Sequence, residues 1–209
     1  MSDENERMIR DQIVARGVTD PRVLDAFRSV PRDLFVPANV RTAAYDDTPL
    51  PLECGQTISQ PYIVASMTAA LGLTGSEKIL EIGAGSGYQT AVLARLARTV
   101  CATELEPDLA RSIDDRLRRL GITNVSLRVG DGLTVFRDEA PFDAILSAAA
   151  PVVMPEVLIE QLGDGGRCII PVGDAELQHL WIIRKRGGHV ERRRLEAVRF
   201  VPLRNSSSR

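Results

Sequence analysis

Residues 79–88 read Ile79-Leu80-Glu81-Ile82-Gly83-Ala84-Gly85-Ser86-Gly87-Tyr88, an apolar run giving way to glycines at alternate positions. The run has the texture of a buried strand, and Tyr88, Val92, Leu93 and Leu96 then share one helical face. In an open α/β sheet the crevice beyond such a strand's carboxyl end is the usual ligand site. Spacing narrows the ligand. A dinucleotide loop, G-x-G-x-x-G, needs its third glycine at position 88, which is Tyr88. No Gly-Lys-Ser/Thr follows, so the loop is not a phosphate-binding P-loop. Ser86 is flanked directly by glycines, unlike the serine of a G-x-S-x-G elbow.

Two acids and an Asp-Gly pair extend the site. Glu81 precedes the glycines, where it can face a ligand's ammonium group. Glu104 ends the next apolar run, about twenty residues after the loop, where a carboxylate accepts from ribose hydroxyls. Asp131-Gly132 follows the third run, at the same edge of the sheet and within reach of an adenine. Glycine loop, ribose acid and Asp-Gly together describe the class I methyltransferase pocket for S-adenosyl-L-methionine.

The remaining pattern alternates strand and helix. Strands are expected at 78–82, 99–104, 125–129, 142–147, 167–171, 179–184 and 197–201. A second helical face carries Leu109, Ile113, Leu117 and Leu120 and closes at Gly121. Such βαβ units imply a parallel sheet covered on both faces. The turn Arg186-Gly187-Gly188-His189 makes the far edge antiparallel. The expected fold is therefore α/β and Rossmann-like: a mostly parallel, doubly wound sheet with an antiparallel edge strand and an N-terminal helical extension. The extension covers residues 1–76 and the core 77–209. Within the extension, Met8, Ile9 and Ile13 mark a helix ending near Gly17, and Asp20-Pro21 opens another. Residues 30–51 hold four prolines and read as loop or short turns, before a helical face of Ile63, Val64, Met67, Ala70 and Leu71. Residues 205–209 read as a frayed polar tail.

Composition excludes several classes. The chain of 209 residues has a formal net charge of −2, giving no basic field for nucleic acid, and no apolar run long enough to span a membrane. Its charged start, MSDENERMIRDQ, lacks the apolar core of a secretory signal. Cys54, Cys101 and Cys168 are too far apart for a disulfide framework or, with His179 and His189, a zinc site, so no metal is expected and a cytoplasmic setting fits. The basic residues Arg184, Lys185, Arg186 and Arg192 to Arg194 read as a solvated strand face.

Upstream of the glycine loop lies Glu53-Cys54-Gly55-Gln56-Thr57-Ile58-Ser59-Gln60-Pro61. With that loop, its Gly55–Pro61 portion resembles the protein-L-isoaspartate (D-aspartate) O-methyltransferases. The likeness takes in Val30-Pro31-Arg32, Phe35-Val36-Pro37, Ala44-Tyr45, Gly130-Asp131-Gly132 and Ala140-Pro141-Phe142-Asp143. It continues through Ala148-Ala149-Ala150-Pro151, Gln161-Leu162, Gly165-Gly166-Arg167, Pro171-Val172-Gly173, Gln178 and Val201-Pro202-Leu203. It breaks at Leu133-Thr134-Val135-Phe136, where many relatives carry a further glycine and a bulky aromatic, and at Arg204, where some have threonine.

The resemblance implies methyl transfer from S-adenosyl-L-methionine to the α-carboxyl of isoaspartyl residues, starting their repair to aspartyl. It makes Ser59 the active-site serine. Gln56, Thr57, Ile58, Ser59, Glu81, Gly83, Gly85, Gly87, Glu104, Leu105, Asp131 and Gly132 become the cofactor-side residues. Isoaspartyl proteins and peptides are the expected partners of a monomer, with neither nucleic acid nor membrane involved. A related carboxyl methyltransferase acting on a modified ribosomal peptide or small acid is the alternative. Base-amino methyltransferases commonly carry Asp/Asn-Pro-Pro-aromatic where this chain has Ser147-Ala148-Ala149-Ala150-Pro151. Ser59 or Gln60 is also expected to cap the helix that Pro61 opens.

Overall fold

A computed structural model describes residues 3–204; the expected tail at 205–209 lies outside them. Its seven-stranded sheet has the order β5-β4-β3-β6-β7-β8-β9. The strands are β3 (Lys78–Ile82), β4 (Thr99–Glu104), β5 (Val125–Val129), β6 (Phe142–Ser147), β7 (Leu162–Gly173), β8 (Gln178–Arg186) and β9 (His189–Val198). Pairing is parallel from β5 through β7 and antiparallel from β7 to β8 and from β8 to β9. The expected antiparallel edge is thus present, with β8, the penultimate strand, as the one running against the rest. The last strand departs from expectation, running from His189 to Val198 instead of 197–201. Its residues are mostly exposed, so the edge strand carries no apolar alternation to mark it.

The two faces of the sheet bury different clusters. Ile79, Val100, Ala102, Ala144 and Leu146 pack beneath α3 (Pro61–Leu71), α4 (Tyr88–Ala94), α5 (Pro107–Arg119) and the N-terminal elements. Leu80, Ile82, Cys101, Ile145 and Cys168 face the other way, against Phe136 and α6 (Glu156–Glu160). Leu133 and Val135 pack on this second cluster, so the stretch where the resemblance breaks is core material.

The N-terminal extension joins the first cluster directly. α1 (Asp3–Met8) runs on through tighter and wider helical turns to Gly17, whose φ of 92° ends it, and buries Met8, Ile9 and Ile13. α2 (Pro21–Ser29) starts where Asp20 accepts the Arg22 N–H at 2.9 Å, as expected of a cap. The following proline-rich stretch forms short 3₁₀ turns. There Arg32 is fully buried, donates Nε to the Ala44 carbonyl at 2.8 Å and lies 5.1 Å from the Tyr88 ring centroid. Burial lowers its guanidinium to about 10.

Two features lie outside the expected pattern, the short helix α6 and a small ribbon ahead of α3. β1 (Leu50–Pro51) and β2 (Thr57–Ile58) form a two-residue antiparallel ribbon that closes on the turn Glu53–Gly55. Strands this short leave no periodic signal. The ribbon delivers Thr57, Ile58 and Ser59 to the carboxyl edge of the main sheet.

Candidate active site

The chain's order along the sheet reverses at β3, where β4 lies on one side and β6 on the other. Ile82 is in register with Thr103 and with Ser147, so the three strand ends are level. Above them opens a cavity of about 840 Å³. It is lined by the glycine loop, by the ribbon and the start of α3, and by the end of β9 with the segment that follows it.

The glycine loop is fixed by backbone and carboxylate together. Gly83, Gly85 and Gly87 have φ of 80°, 57° and 84°, a region that side chains other than glycine's rarely occupy. The amides of Gly83 and Ala84 both donate to the Thr103 carbonyl, at 3.0 and 2.9 Å. Glu104 Oε2 accepts the Gly85 N–H at 2.7 Å, while Oε1 accepts those of Leu105 at 2.7 Å and Glu106 at 3.0 Å. Three donors keep this buried carboxylate oriented at the cavity wall.

Glu81 sits elsewhere. By strand alternation it shares the face of Ile79 and lies beneath α4, fully buried, with neither carboxylate oxygen hydrogen-bonded. Burial pushes its carboxyl up to about 8. The Glu104 charge adds to that rise. The carboxyl lies under the loop and is not part of the cavity wall.

On the acceptor side, Gln56, Thr57, Ile58, Ser59 and Gln60 all line the cavity. Neither Ser59 nor Gln60 caps α3. Gln60 is the N-cap residue, yet its side chain makes no cap bond and Nε2 donates instead to the Asp47 carbonyl at 3.1 Å. The half-buried Ser59 hydroxyl has no hydrogen-bond partner among the described residues. Asp131 is not itself among the lining residues: its Oδ1 accepts the Leu133 N–H at 2.9 Å and closes the turn after β5. Its neighbours Gly130 and Gly132 reach the wall, as does Leu105, whereas Gly87 lies behind it at the start of α4.

Residues 3–208 match the family Protein-L-isoaspartate(D-aspartate) O-methyltransferase. The chain belongs to this family. A protein-L-isoaspartate O-methyltransferase of Methanoculleus marisnigri is 51% identical over 200 residues, covering 96% of this chain and 91% of its own. One from a Picosynechococcus species is 50% identical over 202 residues, covering 97% and 90%. Among solved structures, a Plasmodium falciparum protein assigned to the same enzyme class and crystallised with S-adenosyl-L-homocysteine superposes with a TM-score of 0.85. It is 26% identical, and the match covers 99% of this chain and all of that one.

Family membership fits the cavity's chemistry. A nucleoside with an amino-acid tail needs a carboxylate for its hydroxyls, close backbone approach and a cavity of several hundred Å³. Glu104, the glycine loop and the cavity's volume meet these needs. The sequence reading missed much of the upper wall: Arg16, Pro49, Tyr62, Thr103, Ala148, Ala149 and residues 196–204. Ala148-Ala149 and Val201-Pro202-Leu203 had carried the family resemblance without an assigned role. Arg16 and Arg199 gave no signal, since each is a single charge among mostly apolar neighbours with no motif around it.

Among the described residues no group of His, Cys, Asp and Glu could hold a metal ion, and no helix is long and apolar enough to cross a membrane.

Proposed function

We propose that this chain transfers a methyl group from S-adenosyl-L-methionine to the α-carboxylate of L-isoaspartyl residues in proteins and peptides, starting their return to aspartyl. The observation that carries the reading is the continuity of one cavity from Glu104 and the glycine loop to the unpartnered Ser59 hydroxyl. Family membership over nearly the whole chain supports the acceptor class.

Bound S-adenosyl-L-methionine supplies an electrophilic methyl group and its own leaving group. The acceptor's carboxyl, with an unperturbed pKa of roughly 3.3–3.7, is ionised at neutral pH and needs no general base. Its oxygen forms the C–O bond as the C–S bond breaks; the electron pair stays on sulfur and no proton moves. The protein's contribution is alignment and exclusion of water, worth roughly 7–11 kcal/mol where the fit is good. Ser59 donates its free hydroxyl to the second carboxylate oxygen and so turns the first towards the methyl. Glu104 holds the ribose hydroxyls, Gly83 and Gly85 allow close approach, and Leu105 with Gly132 borders the nucleoside. Gln56, Thr57 and Ile58 form the join between cofactor and acceptor.

The enzyme is read as a cytoplasmic monomer acting on polypeptide, with no nucleic acid or membrane partner. The three cysteines are free, and the two in the core are unpaired, in keeping with a reducing compartment. The deciding assay uses labelled S-adenosyl-L-methionine with two peptides of one sequence, one isoaspartyl and one aspartyl. Transfer is expected to the isoaspartyl peptide alone; transfer to neither, or equally to both, would overturn the reading.

A further inference from the structure

We propose that Arg199 is an acceptor-specificity residue, the guanidinium that draws the isoaspartyl carboxylate into the cavity. The inference rests on the function proposed above.

Among the described residues three arginines line the cavity, and two are already engaged. Arg16 pairs with Asp47, Nη1 to Oδ2 3.2 Å, and its guanidinium carbon lies 3.4 Å from the Tyr62 ring centroid. Arg204 is tied to Glu106 at 2.8 Å. Arg199 is exposed and has no carboxylate within ion-pair distance among the described residues, although Glu176 and Glu196 stand on the same wall. With Glu104 these acids make the cavity unwelcoming to an anion. An anionic acceptor has to enter against them, and among the described residues Arg199 is the lining arginine outside an ion pair that can offset the repulsion.

The backbone around Arg199 is held firmly. Gln178, itself buried, pairs in register with Val198. Its side chain then clamps both backbone groups of Phe200: Oε1 accepts the N–H at 2.7 Å and Nε2 donates to the carbonyl at 3.2 Å. Beyond it, Ala150 donates to the Val201 carbonyl and accepts from the Leu203 N–H, both at 2.8 Å. Phe200 packs on the core and lines the cavity beside Arg199, so Arg199 is carried by a fixed strap at the cavity wall. Methylation turns the carboxylate into a neutral ester, so the same guanidinium holds substrate and releases product.

The test measures methyl transfer to an isoaspartyl peptide by wild type, Arg199→Ala and Arg199→Lys across a range of salt concentrations. Arg199→Ala is expected to raise the peptide KM about five- to tenfold, with kcat and S-adenosyl-L-homocysteine affinity unchanged. Arg199→Lys should restore most of the loss. The wild-type KM should climb with salt while that of Arg199→Ala should not climb, and should fall where screening weakens the repulsion by the acids, which a purely structural role would not produce. An active wild type whose Arg199→Ala counterpart keeps its KM and salt response would overturn this inference alone. A wild type inert towards the isoaspartyl peptide would overturn the proposed function and the inference with it.

Discussion

Glu104 and Gly85 are joined by a 2.7 Å hydrogen bond in which the carboxylate of β4 accepts the amide of the glycine loop. The same carboxylate takes the N–H groups of Leu105 and Glu106, so every neighbour it has is a donor. Glutamine in its place has one acceptor oxygen and must turn its amide towards a backbone N–H. Glu104→Gln should therefore weaken S-adenosyl-L-homocysteine binding by roughly ten- to hundredfold, the worth of about 1.5–3 kcal/mol for a charged hydrogen bond. Titration calorimetry reads the affinity; an unchanged value would remove Glu104 from the cofactor site.

Ser59 tests the other end of the cavity. Because its hydroxyl bonds to nothing among the described residues and caps no helix, Ser59→Ala forfeits no native hydrogen bond. Its melting temperature and S-adenosyl-L-homocysteine affinity should match wild type. Its kcat should fall by roughly 10²–10³, the loss typical when one donor to a reacting group is removed. Full turnover in this variant would end the positioning role.

Glu81 gives a pH signature that needs no substrate. The folded chain keeps this carboxyl protonated up to about pH 8, whereas the unfolded chain releases the proton in the ordinary carboxylate range. The folded state thus binds more protons between those limits. Stability contributed by the neutral acid is complete at low pH, declines as pH rises through that window and levels off above it. Glu81→Gln cannot ionise, so it should gain melting temperature over wild type at pH 9 and stay close to it at pH 5. Thermal melts at the two values decide the matter, and an equal difference at both would show that Glu81 does not titrate in this range.

The strands at 78–82, 99–104, 125–129 and 142–147 were legible to the residue. Most are parallel strands buried on both faces, and runs such as Ile79-Leu80 and Ile145-Leu146 carry that burial into the sequence. β9 was placed too late because its Arg192, Arg193 and Arg194 are exposed and read as surface. The site was legible where backbone geometry dictates residue type, as at Gly83 and Gly85. Asp131 shows the limit: an acid beside a glycine after a strand reads the same whether it faces a ligand or closes its own turn. The cavity's upper wall was legible only where Ala148-Ala149 and Val201-Pro202-Leu203 carry the family resemblance. Arg16 and Arg199 line one cavity from opposite ends of the chain, and no local pattern records what folding brings to a shared wall.

Gly132 is fixed by packing, not by backbone angle. A Cβ built on it would lie 2.4 Å from Ile82 Cγ2 and 2.9 Å from Thr103 Oγ1. Both neighbours belong to the strand ends that carry the cavity, and Ile82 is buried in the core, so neither can retreat freely. Gly132→Ala should cost about 1–3 kcal/mol of stability, as overpacking of a filled core does. It should also weaken cofactor binding, because relief of the clash displaces the ends of β3 and β4. Gly163→Ala makes the control: its new methyl would meet its nearest neighbours, Phe142 O and Pro141 Cβ, at 3.5 Å, an ordinary contact distance. Urea titration of the two variants separates a packing constraint from a general dislike of alanine, and equal midpoints would refute the constraint at Gly132.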